Sequence, residues 1–227
     1  MTTTLITGAN KGLGYETARQ LIAAGHTVWV GSRDADRGKR AADELGGRFV
    51  ELEVTDDASV QAAAETVGPL DVLVNNAGIA GGRIPVGEVT AEGMRRLYDT
   101  NVFGVVRVTQ AFLPALQASD HPVIVNVSSG LGSIGRALDS AAMEYVFPTL
   151  AYGSAKAAVN MITVQYAKAF PAMRINCVDP GYTATDLNGF QGTQTVAEGA
   201  EIIVRMARVE PDGPTAGYFA HAARVPW

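Results

Sequence analysis

Short runs of consecutive apolar residues alternate along the chain with longer segments in which apolar residues recur every three or four positions. The short runs cover residues 3–7, 27–31, 48–53, 70–75, 122–127, 174–178 and 217–220 and predict strands. Several are apolar throughout, as in Val72-Leu73-Val74 and Val123-Ile124-Val125, which is expected of strands covered on both faces. The longer segments, at about 14–24, 35–45, 57–67, 91–118, 151–169 and 196–208, predict helices. Gly25 and Gly46-Gly47 fall where helix ends favour a left-handed residue, Gly68-Pro69 stops the third helix, and Pro180-Gly181 ends a strand. Such alternation implies parallel strands joined by right-handed crossovers. The predicted architecture is α/β: a single doubly wound domain over 1–227 with a mostly parallel seven-stranded sheet and helices on both faces. Ligands of such sheets bind beyond the carboxyl ends of the strands.

Composition narrows the picture. The 227 residues are 47% hydrophobic and 18% charged, which excludes a disordered chain. With 18 basic and 23 acidic residues, a net charge of −5 and no basic run, nucleic acid is not an expected partner. The single cysteine, Cys177, forms no internal disulfide and fits a reducing compartment. No apolar run approaches the roughly 20 residues of a membrane helix, and no leader pattern opens the chain. The expectation is therefore a cytoplasmic protein that does not use a membrane. The Asn126-Val127-Ser128 sequon lies inside a strand-like run and is read as accidental.

The strand ends carry the chemistry. After the first strand, Thr7-Gly8-Ala9-Asn10-Lys11-Gly12-Leu13-Gly14 leads into a helix. Three glycines there permit a tight turn and close backbone approach, and they expose helix N-terminal amides to a pyrophosphate. This makes the domain a Rossmann-type dinucleotide fold. The second strand ends in Ser32-Arg33, with Ser32 where an NAD site usually places a carboxylate. Arg33 and Lys11 would pair with a 2′-phosphate, favouring NADP(H), with NAD(H) as the alternative. Asp34 is expected to cap the next helix.

Tyr152 and Lys156 stand four apart at the start of a predicted helix, hence on one face. An ammonium there is expected to lower the phenol pKa and fit it for proton exchange. Upstream, a strand ends in Ser128-Ser129-Gly130, another in Asn75-Asn76-Ala77-Gly78, and Asn101 sits within a predicted helix. Taken singly, the serines are also ordinary turn residues and Asn101 an ordinary surface one.

Together these segments resemble the short-chain dehydrogenase/reductase family, most of all its carbonyl-reductase branch. The motifs are TGANKGLG at 7–14, NNAG at 75–78, Asn101, SSG at 128–130, YGSAK at 152–156 and DPGYTAT at 179–185, in family order; LDVLVNNAGIA, RDADRG and the closing Trp227 point to the branch. The resemblance implies an NADPH-dependent ketone or aldehyde reductase. Tyr152 would be its general acid, Lys156 the ribose ligand and tuner of Tyr152, Ser129 the holder of the substrate oxygen, and Asn101 the anchor of a relay water. Gly8, Asn10, Lys11, Gly12, Leu13, Gly14, Ser32, Arg33, Glu53, Val54, Asn76, Ala77, Gly78, Tyr152, Lys156, Pro180, Gly181, Thr183 and Thr185 would bind the cofactor, and no metal is implied. Glu53 replaces the family's usual Asp. The Ser129–Tyr152 gap is longer than is common, so residues 136–150 form an insertion that either lines the substrate mouth or covers surface. The substrate loop at about 181–195 is short, and Val86, Phe147, Leu150, Tyr182, Leu187 and Phe190 suggest an apolar pocket. An NAD-dependent alcohol dehydrogenase, or a silent dinucleotide sensor, is the alternative. The expected partner is a small carbonyl or alcohol, and monomer, dimer and tetramer all stay open.

Overall fold

The computed structural model describes residues 2–82, 84–221 and 223–227. Its strands are β1 (Thr3–Thr7), β2 (Thr27–Ser32), β3 (Arg48–Glu51), β4 (Val72–Asn75), β5 (Val123–Val127), β6 (Arg174–Val178) and β7 (Tyr218–Phe219). They form one sheet in the order β3-β2-β1-β4-β5-β6-β7, with every neighbouring pair parallel. The chain builds outward from β1 to β3, then crosses back to β4 and builds the other way. The crevice at this reversal opens at the carboxyl ends of β1 and β4.

The strands are apolar throughout because successive residues feed two cores. Ile6, Val30, Val74, Val125 and Val178 pack on one face with Leu21, Ile203 and Met206 from helices α1 (Gly12–Ala23) and α8 (Val196–Ala207), beside α2 (Ala35–Leu45). Their neighbours Leu5, Leu73, Ile124 and Ile175 face the other way, onto Val60 of α3 (Asp57–Val67) and Phe112 and Leu116 further on. Burial of each such side chain is worth about 1.5–3 kcal/mol.

The segment read as one helix over 91–118 is three elements: α4 (Ala91–Tyr98), a π-helical turn (Asp99–Phe103) and α5 (Gly104–Gln117). Periodicity alone does not register the extra residue wound into that turn, because the apolar stripe resumes beyond it. The strand read over 48–53 ends at Glu51, and the last strand is only two residues long. The insertion contains a short helix α6 (Ile134–Leu138) and a 3₁₀ turn (Met143–Val146), after which α7 (Leu150–Ala169) begins. No helix among the described residues is long and apolar enough to cross a membrane.

Candidate active site

The glycine turn after β1 is shaped by close packing. Gly8 is left-handed (φ +64), and a methyl there would lie 3.0 Å from Ala77 Cα. A methyl on Gly14 would lie 2.5 Å from Asn76 Nδ2 and 2.7 Å from the Gly8 carbonyl. Helix α1 starts at Gly12, two residues earlier than periodicity suggests, so Gly12, Leu13 and Gly14 supply its first turn. Lys11 at the N-cap contributes no capping side chain. Amides in an uncapped first turn next to glycine backbone suit a diphosphate. Leu13 turns into the core. Asn10 borders a small hollow of about 170 Å³ with Tyr15, Arg37 and Arg40.

The Asn76-Ala77-Gly78 loop is strapped to this turn. Thr7 Oγ1 accepts the amides of Asn76 (3.0 Å) and Ala77 (2.9 Å), while Asn76 Nδ2 donates to the carbonyls of Thr7 (2.9 Å) and Gly8 (3.2 Å). Buried Asn101 serves the same loop from the π-turn: its Oδ1 accepts Ile79 N–H and its Nδ2 donates to Ile79 O, both at 2.8 Å. Its side-chain amide is thereby committed to Ile79.

At the end of β2, the buried Ser32 hydroxyl donates to Asp34 O and accepts from Asp34 N–H. Asp34 caps α2 by accepting Arg37 N–H at 3.0 Å. Arg33 is largely exposed and lies 3.7 Å from Glu53. Glu53 in turn accepts the Thr55 amide and hydroxyl. Val54 is buried beside Gly104, and its carbonyl accepts from Arg107 at 2.6 Å. Lys11 pairs with Asp186, just beyond Thr185. In that segment Gly181 is left-handed (φ +78), and buried Thr183 donates to Pro180 O and accepts from Gln194. Thr185 opens the turn at Asp186–Asn188. These residues thus ring the carboxyl edge from β2 to β6.

Ser129, Tyr152 and Lys156 come together because α7 lies almost on the Gly130–Gly132 turn. A methyl on Gly132 would be 2.7 Å from Lys156 Cβ, and one on Gly153 would be 2.9 Å from Leu131 O. The two adjacent serines separate by role. Ser128 is buried and donates to Asn160 Oδ1 at 2.6 Å, whereas the Ser129 side chain hydrogen-bonds Tyr152. Behind them, Asn75 donates to Asn126 at 2.8 Å and Asn126 to Thr163 at 2.9 Å, tying β4, β5 and α7 together. Tyr218 fixes the Ser129 carbonyl at 2.5 Å. Sequence reading overlooked these supports; the available signal was an Asn in each of three apolar strands, Asn75, Asn126 and Asn176.

One expectation is corrected. Tyr152 is not acidified here: burial pushes its phenol up to about 12, against an opposing hydrogen bond from Ser129 and with a further upward push from Asp179. Burial also pushes the Lys156 amine down to about 8. Lys156 Nζ donates to Val127 O at 2.7 Å and stands 5.7 Å from the Tyr152 ring centroid. A desolvated amine turned onto a strand carbonyl gives the phenol little help.

Among the described residues no group of His, Cys, Asp and Glu gathers as a metal site. A groove of about 580 Å³ lies at the opposite end of the sheet, lined by Leu70, Phe112, Pro114 and Ser119, away from all of these groups.

The short chain dehydrogenase family model matches residues 2–196. A short-chain dehydrogenase/reductase of Saponaria officinalis is 36% identical, covering 95% of this chain and 92% of its own. The (+)-neomenthol dehydrogenase of Capsicum annuum is 32% identical, covering 95% and 94%. Among solved structures, NADPH-bound carbonyl reductase from chicken fatty liver superposes with a TM-score of 0.88 at 27% identity, covering 100% and 99%. The two alignments extend over 279 and 295 positions, so both relatives carry segments with no counterpart in these 227 residues. A dinucleotide cradle at the sheet reversal and a Ser-Tyr-Lys cluster beside it agree with those likenesses, and the chain belongs to the short-chain dehydrogenase/reductase family, as an NAD(P)-dependent oxidoreductase acting on CH–OH or C=O groups.

Proposed function

We propose that the protein is an NADPH-dependent ketone or aldehyde reductase. The observation that carries this reading is the meeting of Ser129, Tyr152 and Lys156 at the end of β5, next to the glycine turn that would hold the cofactor's diphosphate. A bound reduced nicotinamide would supply the hydride. The Ser129 hydroxyl holds the carbonyl oxygen, and Tyr152 gives its proton to the oxygen as negative charge develops there. With its phenol pushed up to about 12 by burial, Tyr152 carries its proton at neutral pH and has it to give. Lys156, buried one helical turn from Tyr152, would hold the nicotinamide ribose, and Asn101 shapes the cleft by holding Ile79, so that a relay water would have to use its main chain. Exposed Val86, Phe147, Leu150, Leu187 and Phe190 favour an apolar carbonyl.

Preference for NADPH is supported by the absence of a carboxylate at Ser32, by the exposed guanidinium of Arg33, and by the NADPH-bound carbonyl reductase relative. A second reading, an NAD-dependent alcohol dehydrogenase, is favoured by one observation: Arg33 and Lys11 both already face carboxylates. A cofactor-oxidation screen over ketones, aldehydes and quinones tests the main reading. Tyr152→Phe is expected to cut kcat by at least about a hundredfold while NADPH still binds; retained turnover would remove Tyr152 from the mechanism.

A further inference from the structure

Three charged side chains meet beside the Ser129 turn, and of these only Asp179, through its push on the Tyr152 phenol, has entered the chemistry above. Arg136 of α6 donates through a single nitrogen, Nη1, to Glu144 Oε1 at 3.0 Å and to Asp179 Oδ2 at 2.8 Å. Their side chains are 28%, 10% and 7% exposed, so both carboxylates are largely out of water. A buried ion pair adds little net stability over an apolar replacement, yet losing one partner strands the others. What such a cluster supplies is fixed geometry.

The three residues come from α6, from the Met143–Val146 turn and from the end of β6. Asp179 is held further: its Oδ1 accepts Gly181 N–H at 3.0 Å, and its own amide reaches Phe219 O at 2.8 Å. The ion pair rests directly on the residue after Ser129. A methyl at Gly130 would lie 2.0 Å from Glu144 Oε1 and 2.9 Å from Arg136 Nη1. Ser133 and Gly135, at the start of α6, bond to the backbone of Pro226 and Trp227. Met143, Tyr145, Val146 and Phe147, carried by the same turn, are all exposed.

On the reductase reading above, we propose that Arg136 is a positioning and specificity-determining residue. Its bridge from Glu144 to Asp179 holds residues 139–150 against the Ser129 turn, so that their apolar side chains form a fixed wall of the substrate mouth and favour bulky carbonyls over small ones. The insertion then lines the mouth rather than merely covering surface.

The test uses the full chain loaded with NADPH, with a branched cyclohexanone and propanal as probes. Arg136→Gln is expected to raise KM for the cyclohexanone about tenfold with kcat within about threefold, and to leave kcat/KM for propanal within about threefold. Chymotrypsin cleavage after Tyr145 is expected to speed up about tenfold, because the segment opens without its tether. NADPH affinity stays within about twofold, and Arg136→Lys, which keeps a donor able to bridge both carboxylates, recovers most of the cyclohexanone KM. Equal losses on both carbonyls, unchanged cleavage, or a Lys variant no better than Gln overturns the proposal. Should Arg136→Gln not fold, Glu144→Gln keeps the Arg136–Asp179 pair and must show the same selectivity change; an unchanged ratio sinks the idea. If the unaltered protein binds NADPH but reduces neither probe, the reductase reading fails and the selectivity claim with it, while the cleavage rates still decide whether Arg136 holds the segment.

Discussion

Lys11 and Arg33 show how much a side chain's role depends on what it faces. In sequence both are free cations placed for a 2′-phosphate. In the fold Lys11 meets Asp186 and Arg33 stands 3.7 Å from Glu53, so a phosphate has to compete with carboxylates for each. Charge-assisted contacts of guanidinium with phosphate are strong enough to win that competition in part. Arg33→Ala is therefore expected to weaken NADPH binding about tenfold and leave NADH binding nearly unchanged, as read by fluorescence titration of both cofactors. Tighter NADH binding by the unaltered protein would reverse the cofactor assignment. Tyr152 and Lys156 make the same point about acidity. Their spacing of four is visible in the chain, but the raised phenol and lowered amine follow from desolvation, which no linear spacing encodes.

At the scale of elements, local signals place most boundaries. Asp34 and Asp56 cap α2 and α3 through their own carboxylates, and Gly46 closes α2 in the left-handed region. Thr195 and Glu198 form a reciprocal capping box at the start of α8, readable as Thr-x-x-Glu before an apolar run. Thr195→Ala is expected to cost about 1 kcal/mol and lower the thermal midpoint by roughly 2–4 °C, without a change in NADPH binding. A calorimetric scan checks the first and a titration the second; an unchanged midpoint would mean that packing of α8 on α1, not its cap, sets its stability. The π-turn at Asp99–Phe103 is different. It exists because Asn101 bonds both backbone groups of Ile79, and Arg107 clamps the turn through Asp99 while also reaching Val54 O. Ile79 and Val54 lie far away in sequence, so a helical period passes through the turn without marking it.

For the whole molecule, buried titratable groups set how stability follows pH. Lys156 is lowered to about 8 in the folded chain from an ordinary 10.5, so between those values the unfolded chain binds the extra proton. Stability then rises with pH across that window, by an amount on the order of 3 kcal/mol at most. Cys177 and Tyr152 are raised by burial and act oppositely, lowering stability above about pH 9 and pH 10 respectively as the unfolded chain ionises first. The melting temperature is expected to climb from pH 7.5 to 9 and then turn over, and Lys156→Met is expected to flatten the climb. A variant with the same slope as the parent would show that Lys156 is not the group responsible.

The sequence by itself determined the alternation of strands and helices, the two-sided burial of the sheet, the glycine turn, and the identity of Tyr152, Lys156 and the serine pair. These rest on periodicity and on residues within a turn or two of each other, where spacing alone fixes which side chains share a face. Only the tertiary structure decided that Ser128 goes inward to Asn160 while Ser129 meets Tyr152, that Asn101 staples Ile79, and that Arg136 joins Glu144 to Asp179. Each of those pairings closes across several elements and takes its strength from desolvation. Both the partner and the dielectric around it come into being only when the sheet and its helices have packed.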